Sequence, residues 1–170
     1  MSQFIDNWDE LFIRHVYLIG SKSKDESTQI GAVLVQDGGV VSEGYNGICR
    51  GVNDKVPKRS VRPDKYHWTE HGERNAIYNA AKRGIKTDGG ILYTNSTPCT
   101  DCARAIIQCG IKEIVYHRQW DSIWIKVQKG KWNGHDDITS CMFNEAGIRV
   151  RFFNKKLGIK CLIAENLYEV

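Results

Sequence analysis

The sequence lacks the features that mark membrane, fibrous or disordered chains. Its 170 residues include three prolines and contain no internal repeat and no low-complexity tract. No apolar run approaches the roughly 20 residues that a bilayer-spanning helix needs, and the first residues lack a signal-peptide pattern. We therefore expect a single cytoplasmic domain over residues 1–170 with no membrane partner.

Strong charge of one sign is also missing. The 24 Lys and Arg residues nearly balance 20 Asp and Glu residues, which leaves a formal net charge of +4. Such a charge suits an anionic small ligand as well as a nucleic acid. No continuous basic stripe with interleaved aromatic residues accompanies it, so we expect no nucleic-acid partner.

A second Cys-x-x-Cys motif and a close pair of histidines are absent too. Six cysteines are present, and only Cys99 and Cys102 have metal-ligand spacing. Nothing near Cys99 follows a thioredoxin-like pattern. A redox pair and half of a structural zinc site remain alternatives for this motif, and we interpret the other four cysteines as buried free thiols.

Two short segments, residues 69–77 and 97–103, carry the chemistry that is present. They supply His71, Cys99 and Cys102, and a catalytic zinc keeps three protein ligands with a fourth position for water. Each segment begins a predicted helix, whose N-terminus stabilises thiolates. Glu73 lies about 200° around the helix from His71, so we interpret it as a proton carrier and not as a ligand.

His-x-Glu followed by Pro-Cys-x-x-Cys is the known signature of zinc-dependent nucleobase deaminases. In this sequence 26 positions separate Glu73 from Cys99, and a strand-like run lies between them. The sequence therefore predicts a Zn²⁺ that activates water for attack on C4 of a cytosine, with Glu73 moving the protons. The alternative outside the enzymes is a non-catalytic module that binds a nucleotide or nucleic acid and holds a purely structural zinc.

Hydrophobic periodicity predicts the order helix, hairpin, and then alternating helices and strands. This order indicates an α/β fold with three layers, α/β/α, around a mixed five-stranded sheet. The last stretch, residues 157–170, shows no clear pattern. The predicted helices are 4–21, 70–83, 99–109, 120–127 and 137–146; the strands are 30–36, 40–45, 91–96, 113–117 and 148–153; and 129–135 is a loop.

Two further segments allow more than one interpretation. Gly44-Tyr45-Asn46-Gly47 fits an ordinary turn, because Asn-Gly favours positive φ, and it also fits a ligand-binding loop. Residues 49–68 are basic and hold two of the three prolines. They form either a solvated loop or a loop that handles an anion.

The chain resembles the deoxycytidylate (dCMP) deaminase family of the cytidine deaminase superfamily over about residues 8–153. Besides the zinc motifs, the resemblance rests on residues 23–32, 44–47, 73–77 and 102–111. One departure is Gly72, where the family usually has alanine. The resemblance implies a cytidine-deaminase-like fold with zinc on His71, Cys99 and Cys102.

The same resemblance implies roles for substrate-binding residues. Asn46 would bond the deoxyribose hydroxyl. The backbone N–H of Gly72 would donate to the pyrimidine carbonyl, and Lys24 would bind the phosphate. Trp120 stands where the family often has tyrosine and would stack near the base. The implied reaction converts dCMP to dUMP and ammonia and feeds dTMP synthesis.

Family members are typically homo-hexamers, and many are activated by dCTP and inhibited by dTTP. The resemblance implies a regulatory site near Gly44, Tyr45 and Gly47, with Lys82 and Arg83 at that site or at subunit contacts. Mg²⁺ would accompany a bound nucleoside triphosphate. The alternative substrates are dCTP, alone or beside dCMP, and less favourably free cytidine, guanine or a tRNA adenosine.

Overall fold

A mixed five-stranded sheet forms the centre of the fold in the computed structural model, which describes residues 4–128 and 135–170. The loop predicted at 129–135 lies outside these residues except for its last position, where a helix begins. The helices are α1 (Trp8–Gly20), α2 (Lys65–Trp68), α3 (Gly72–Lys82), α4 (Thr100–Gln108), α5 (Arg118–Gln128) and α6 (His135–Glu145), with a 3-10 turn at Pro57–Ser60. The strands are β1 (Gly31–Gln36), β2 (Gly39–Tyr45), β3 (Gly47–Ile48), β4 (Thr69–Glu70), β5 (Ile91–Thr94), β6 (Glu113–His117), β7 (Arg149–Phe153), β8 (Lys160–Ile163) and β9 (Asn166–Glu169).

The central sheet has the strand order β2-β1-β5-β6-β7. β1 pairs antiparallel with both β2 and β5, whereas β5, β6 and β7 are parallel to one another. Asp37 and Gly38 form the turn between β1 and β2 with φ values of 49° and 76°, a conformation that glycine adopts without strain. This arrangement confirms the predicted mixed five-stranded sheet.

Helices cover both faces of the sheet, and each face has its own apolar core. One core packs α1, α5 and the C-terminal hairpin β8–β9 against the sheet, and the other packs α3, α4 and α6 against the opposite face. The predicted three-layer α/β/α architecture is therefore confirmed. Among the described residues, no helix combines the length and the apolar character needed to cross a bilayer.

A close approach between α3 and β2 sets the position of the first catalytic segment. A Cβ atom added at Gly44 would lie 2.3 Å from the backbone nitrogen of Ala76 and 2.5 Å from the carbonyl oxygen of Gly72. Glycine at this position lets the helix backbone rest directly on the strand. The N-terminus of α3, and with it His71, is therefore fixed relative to the sheet.

Candidate active site and metal centre

Three potential metal ligands converge where α3 and α4 begin. The Nδ1 atom of His71 lies 3.5 Å from the Sγ atom of Cys99 and 3.5 Å from that of Cys102. The ligand atoms of all three residues lie within 4.8 Å of one another. One imidazole and two thiols at this spacing are the donor set of a catalytic zinc, so the residues fit the predicted ion.

Local backbone geometry places each ligand. His71 is the N-cap residue of α3 and Cys99 that of α4, both with extended backbone, and Cys102 lies in the first turn of α4. The first N–H groups of a helix have no intrahelical partner and give its N-terminus a partial positive charge. Both thiols therefore lie where a negative charge is favoured.

The electrostatics of the two thiols differ because they are so close together. The hydrogen bond from Cys102, together with neighbouring His71, lowers the pKa of Cys99 to about 3. The hydrogen bond to Cys99 raises the pKa of His71 to about 9. The hydrogen bond between the two thiols, together with burial, raises the pKa of Cys102 far above its usual range. The protein alone thus favours a single thiolate, and a divalent cation supplies the charge that a second thiolate needs.

Glu73 lies in the first turn of α3 with its side chain buried beside the ligands. The residue is 2% exposed, and among the described residues its Oε2 atom has no hydrogen-bond partner. Burial raises the pKa of this carboxyl above its ordinary value. A buried acid that keeps a free oxygen is suited to accept and return a proton.

An ion-pair chain encloses the ligands on the solvent side. Glu70 accepts hydrogen bonds through Oε1 from the backbone N–H of His71 at 2.8 Å and from Nε of Arg74 at 2.6 Å. The Arg74 guanidinium also lies 3.5 Å from Asp101 of α4. This chain joins the first turns of α3 and α4 and places a positive charge beside the two thiols.

Gly72 and Asn46 both lie against Ile30, the residue directly before β1. Gly72 is the first residue of α3, a position whose backbone N–H has no partner within the helix. The Asn46 side chain accepts from the N–H of Ile30 at 2.9 Å and donates to the carbonyl of Thr28 at 2.9 Å. Asn46 therefore holds the segment before β1 in place, and its contact with a sugar stays a prediction.

Trp120 is placed inside the core of the α1 side. It is 2% exposed and stacks on Trp124 with ring centroids 5.4 Å apart. Its Nε1 atom has no hydrogen-bond partner in the described part of the chain. Stacking of Trp120 on a base therefore stays a prediction.

A cleft of about 270 Å³ lies against β3 and β4, the second of which directly precedes His71 and α3. Lys24 reaches across it to Asp54, with Nζ and Oδ2 2.5 Å apart. β3 and β4 form part of its wall and pair Gly47 with Glu70, directly before His71. The residues lining the cleft include Lys24, Asp25, Tyr45, Gly47, Lys65 and Thr69.

A buried ion pair supports this cleft and was not anticipated from the sequence. The Nζ atom of Lys65 lies 2.8 and 3.0 Å from the two carboxylate oxygens of Asp25. Asp25 also accepts from the backbone N–H groups of Ser27 and Thr28. Lys65 thus ties the end of the basic loop to the segment before β1, while most of residues 49–64 are exposed. Both interpretations of that loop, solvated and anion-handling, stay predictions.

The four residues predicted for a regulatory site do not all meet. Tyr45 and Gly47 line the cleft, whereas Gly44 contacts α3. Lys82 is the last residue of α3, about 15 Å along the helix from the end that meets Gly44. The structure brings Tyr45 and Gly47 together with Lys24 and leaves Lys82 at the far end.

Comparison with known proteins identifies the family. The model of the cytidine and deoxycytidylate deaminase zinc-binding region matches residues 6–118. An uncharacterized deaminase of Aliivibrio fischeri is 36% identical over 86% of this chain and 93% of its own length. Human deoxycytidylate deaminase is 34% identical over 88% of this chain and 81% of its own length.

A solved structure shares the fold. The dCMP deaminase of cyanophage S-TIM5, in complex with dCMP and dUMP, has a TM-score of 0.66 and 22% identity over 89% of this chain and all of its own. With the family match, the relatives and the donor set all in agreement, the chain belongs to the zinc-binding cytidine and deoxycytidylate deaminases.

Proposed function

We propose that this chain hydrolyses dCMP to dUMP and ammonia. One observation carries the proposal: His71, Cys99 and Cys102 converge beside Glu73, whose buried carboxylate keeps one oxygen without a partner among residues 4–128 and 135–170. The human relative is named a deoxycytidylate deaminase, and the cyanophage structure is a complex with dCMP and dUMP.

The chain's own residues account for the proton transfers. Zinc, when bound by His71, Cys99 and Cys102, supplies a water that is acidic enough to act as a nucleophile near neutral pH. Glu73 takes a proton from that water as the oxygen bonds to C4, and delivers it to N3 of the base. It then takes the remaining proton from the hydroxyl on C4 and gives it to the amino group, so that the C4 carbonyl forms, the C4–N4 bond breaks and ammonia leaves. The raised pKa of the buried Glu73 carboxyl suits both directions of transfer.

The substrate contacts are part of the proposal. The backbone N–H of Gly72 donates to the pyrimidine carbonyl, and Asn46 bonds the deoxyribose hydroxyl. Lys24 binds the 5′-phosphate, which takes the place of Asp54 as the partner of its ammonium group. Charge supports the last contact, because Lys24 extends into the cleft.

Competition between nucleotides tests the substrate assignment. Zinc-loaded protein is offered dCMP, dCTP and deoxycytidine separately and in pairs, and ammonia release is measured. We expect dCMP to be turned over with the highest kcat/KM. No ammonia from dCMP by protein with one zinc per chain overturns the proposal, and a higher kcat/KM for dCTP transfers the assignment to that nucleotide.

Regulation and assembly are proposed from the family resemblance, and the cleft supports the regulatory part. Its exposed residue Lys24 suits a phosphate, and the exposed residues Glu26 and Asp54 suit a Mg²⁺ carried by a nucleoside triphosphate. We propose activation by dCTP and inhibition by dTTP in a cytoplasmic homo-hexamer. Rate curves for dCMP that do not change when either triphosphate is added with Mg²⁺ contradict the regulation, and sedimentation as a monomer contradicts the hexamer.

A further inference from the structure

The turn that carries the first thiol ligand is held from both sides by buried side chains of other helices. Thr97 donates from Oγ1 to Oδ1 of Asp121, in the first turn of α5, at 2.8 Å. On the other side, Thr139 of α6 donates from Oγ1 to the carbonyl oxygen of Pro98 at 3.4 Å. Thr97 and Pro98 directly precede Cys99.

Both anchoring side chains are almost inaccessible to solvent. Asp121 is 8% exposed and Thr139 is 1% exposed. A buried carboxylate is costly unless donors stabilise it, and Asp121 gains both the N-terminal end of α5 and the Thr97 hydroxyl. A hydrogen bond to an ionised acceptor is roughly twice as strong as a neutral one, so Thr97 is firmly held.

The position of Cys99 depends on the turn that precedes it. Cys99 is the N-cap residue of α4 with an extended backbone, so residues 97 and 98 set where its Cα–Cβ bond points. The other contacts of its Sγ atom, with Cys102 and His71, are to metal ligands, which the ion itself also holds. Metal ligands have to be held within about 0.5 Å of their productive positions, and groups that touch the ligands' neighbours provide this order.

We propose that Asp121 and Thr139 are positioning residues for the metal centre, acting through Thr97 and Pro98 on the Sγ atom of Cys99. We call these two contacts the clamp: Asp121 of α5 with Thr97, and Thr139 of α6 with Pro98. The clamp makes metal retention depend on helices that supply no ligand. It concerns the metal site alone and not the choice of substrate.

Substitution of Thr97 tests the clamp with a matched control. Thr97→Val keeps the shape of the side chain and removes the hydroxyl, and Thr97→Ser keeps the hydroxyl. Thr87→Val is the control. The Thr87 hydroxyl donates to the carbonyl of Cys109 at 2.7 Å, at the C-terminal end of α4, whereas Thr97 lies before its N-terminal end. Two readouts are used: zinc release to a colorimetric chelator, and the thiolate-to-metal absorption band of the Co²⁺-substituted protein.

We expect Thr97→Val to release zinc about 10-fold to 100-fold faster than the wild type and to shift the Co²⁺ band. Thr97→Ser restores both readouts, and Asp121→Asn and Thr139→Val shift them in the same direction as Thr97→Val. Thr87→Val stays within twofold of the wild type, as does Ser122→Ala, whose hydroxyl donates to the carbonyl of Arg118 in α5.

Equal zinc release by Thr97→Val and Thr87→Val overturns the proposal. So does a loss of thermal stability in Thr97→Val that is the same with and without metal and leaves the Co²⁺ band unchanged. Should Thr97→Val fail to fold, Asp121→Asn decides by the same readouts. The clamp proposal and the deamination proposal can fail separately. The deamination of dCMP is judged on ammonia release by the zinc-loaded wild type, whereas the clamp is judged on zinc release and the Co²⁺ band of the variants.

Discussion

The metal centre and the cleft beside it are built in contrasting ways. The three ligands and Glu73 come from two short segments, and the N-termini of α3 and α4 set their positions locally. The cleft joins residues 24–26, 45–48 and 54–69 through contacts such as Asp25–Lys65, which are forty positions apart. The reactive chemistry is therefore encoded by local spacing, whereas the shape of the ligand cleft depends on long-range pairing.

The largest effect is expected at the metal centre. Cys99→Ser replaces a thiolate by a hydroxyl that zinc binds poorly, so we expect loss of bound zinc and of all measurable dCMP turnover. Cys141→Ser is the control, since that thiol is exposed on α6. Zinc content by atomic absorption and ammonia release are measured together. Retained zinc in Cys99→Ser would contradict the three-ligand assignment.

The second-largest effect is expected at the cleft, whose shape depends on long-range contacts. Lys65→Met removes one partner of a buried ion pair and leaves Asp25 without its cation, which costs about 3 kcal/mol of unfolding free energy. Lys58→Met serves as control, because the Lys58–Asp64 pair is exposed and contributes at most about 1 kcal/mol. Urea denaturation compares the two variants. Equal midpoints would mean that the pair does not hold the cleft together.

A smaller effect is expected where the two regions share α3. Gly44→Ala places a methyl group against the helix backbone at 2.3 Å, so α3 has to shift, at a cost of about 1–3 kcal/mol. Gly47→Ala is the control, since the nearest atom would lie at 3.9 Å. Thermal unfolding gives the comparison. Unchanged stability of Gly44→Ala would show that this close approach is not needed.

The smallest effect is expected away from both regions and only in acid. His117 is fully buried, its Nδ1 lies 2.7 Å from the Tyr17 hydroxyl, and burial lowers its pKa below the ordinary 6.5. Below pH 6.5 the unfolded chain therefore takes up a proton that the folded protein resists, so stability falls with falling pH. Urea midpoints measured from pH 7.5 to pH 5 should fall less in His117→Gln than in the wild type. Parallel curves would contradict this assignment.

The central strands and the metal ligands could be predicted because their signals are local. β6 is predicted with its observed bounds, since the strand-forming residues Ile114, Val115 and Tyr116 follow each other there. The strand predicted at 91–96 ends two residues earlier, at Thr94. Asn95 leaves the sheet because its side chain bonds the backbone of Gly31 and Gln29, a contact that no local pattern reveals.

The sequence of α1 does not by itself specify the buried face. Trp8 is 65% exposed, whereas Ile13 and Val16 are buried. Apolar residues occur on nearly every side of this helix, so periodicity alone cannot choose the face.

Three parts of the structure depend on distant partners. β3 and β4 are two-residue strands that form by pairing with each other, and the hairpin β8–β9 packs against the α1 side of the sheet. Asp121 gave only a weak signal, as an acid near the start of a predicted helix. Its partner Thr97, 24 positions away, is visible only in the fold.

The role of Glu73 tests the central claim most directly. Glu73→Gln keeps the size and the buried position of the side chain but cannot carry the proton. The account predicts one zinc per chain, as in the wild type, and a fall in ammonia release from dCMP of about 100-fold to 10,000-fold. A fully zinc-loaded Glu73→Gln protein that turns over dCMP within tenfold of the wild-type rate would contradict it.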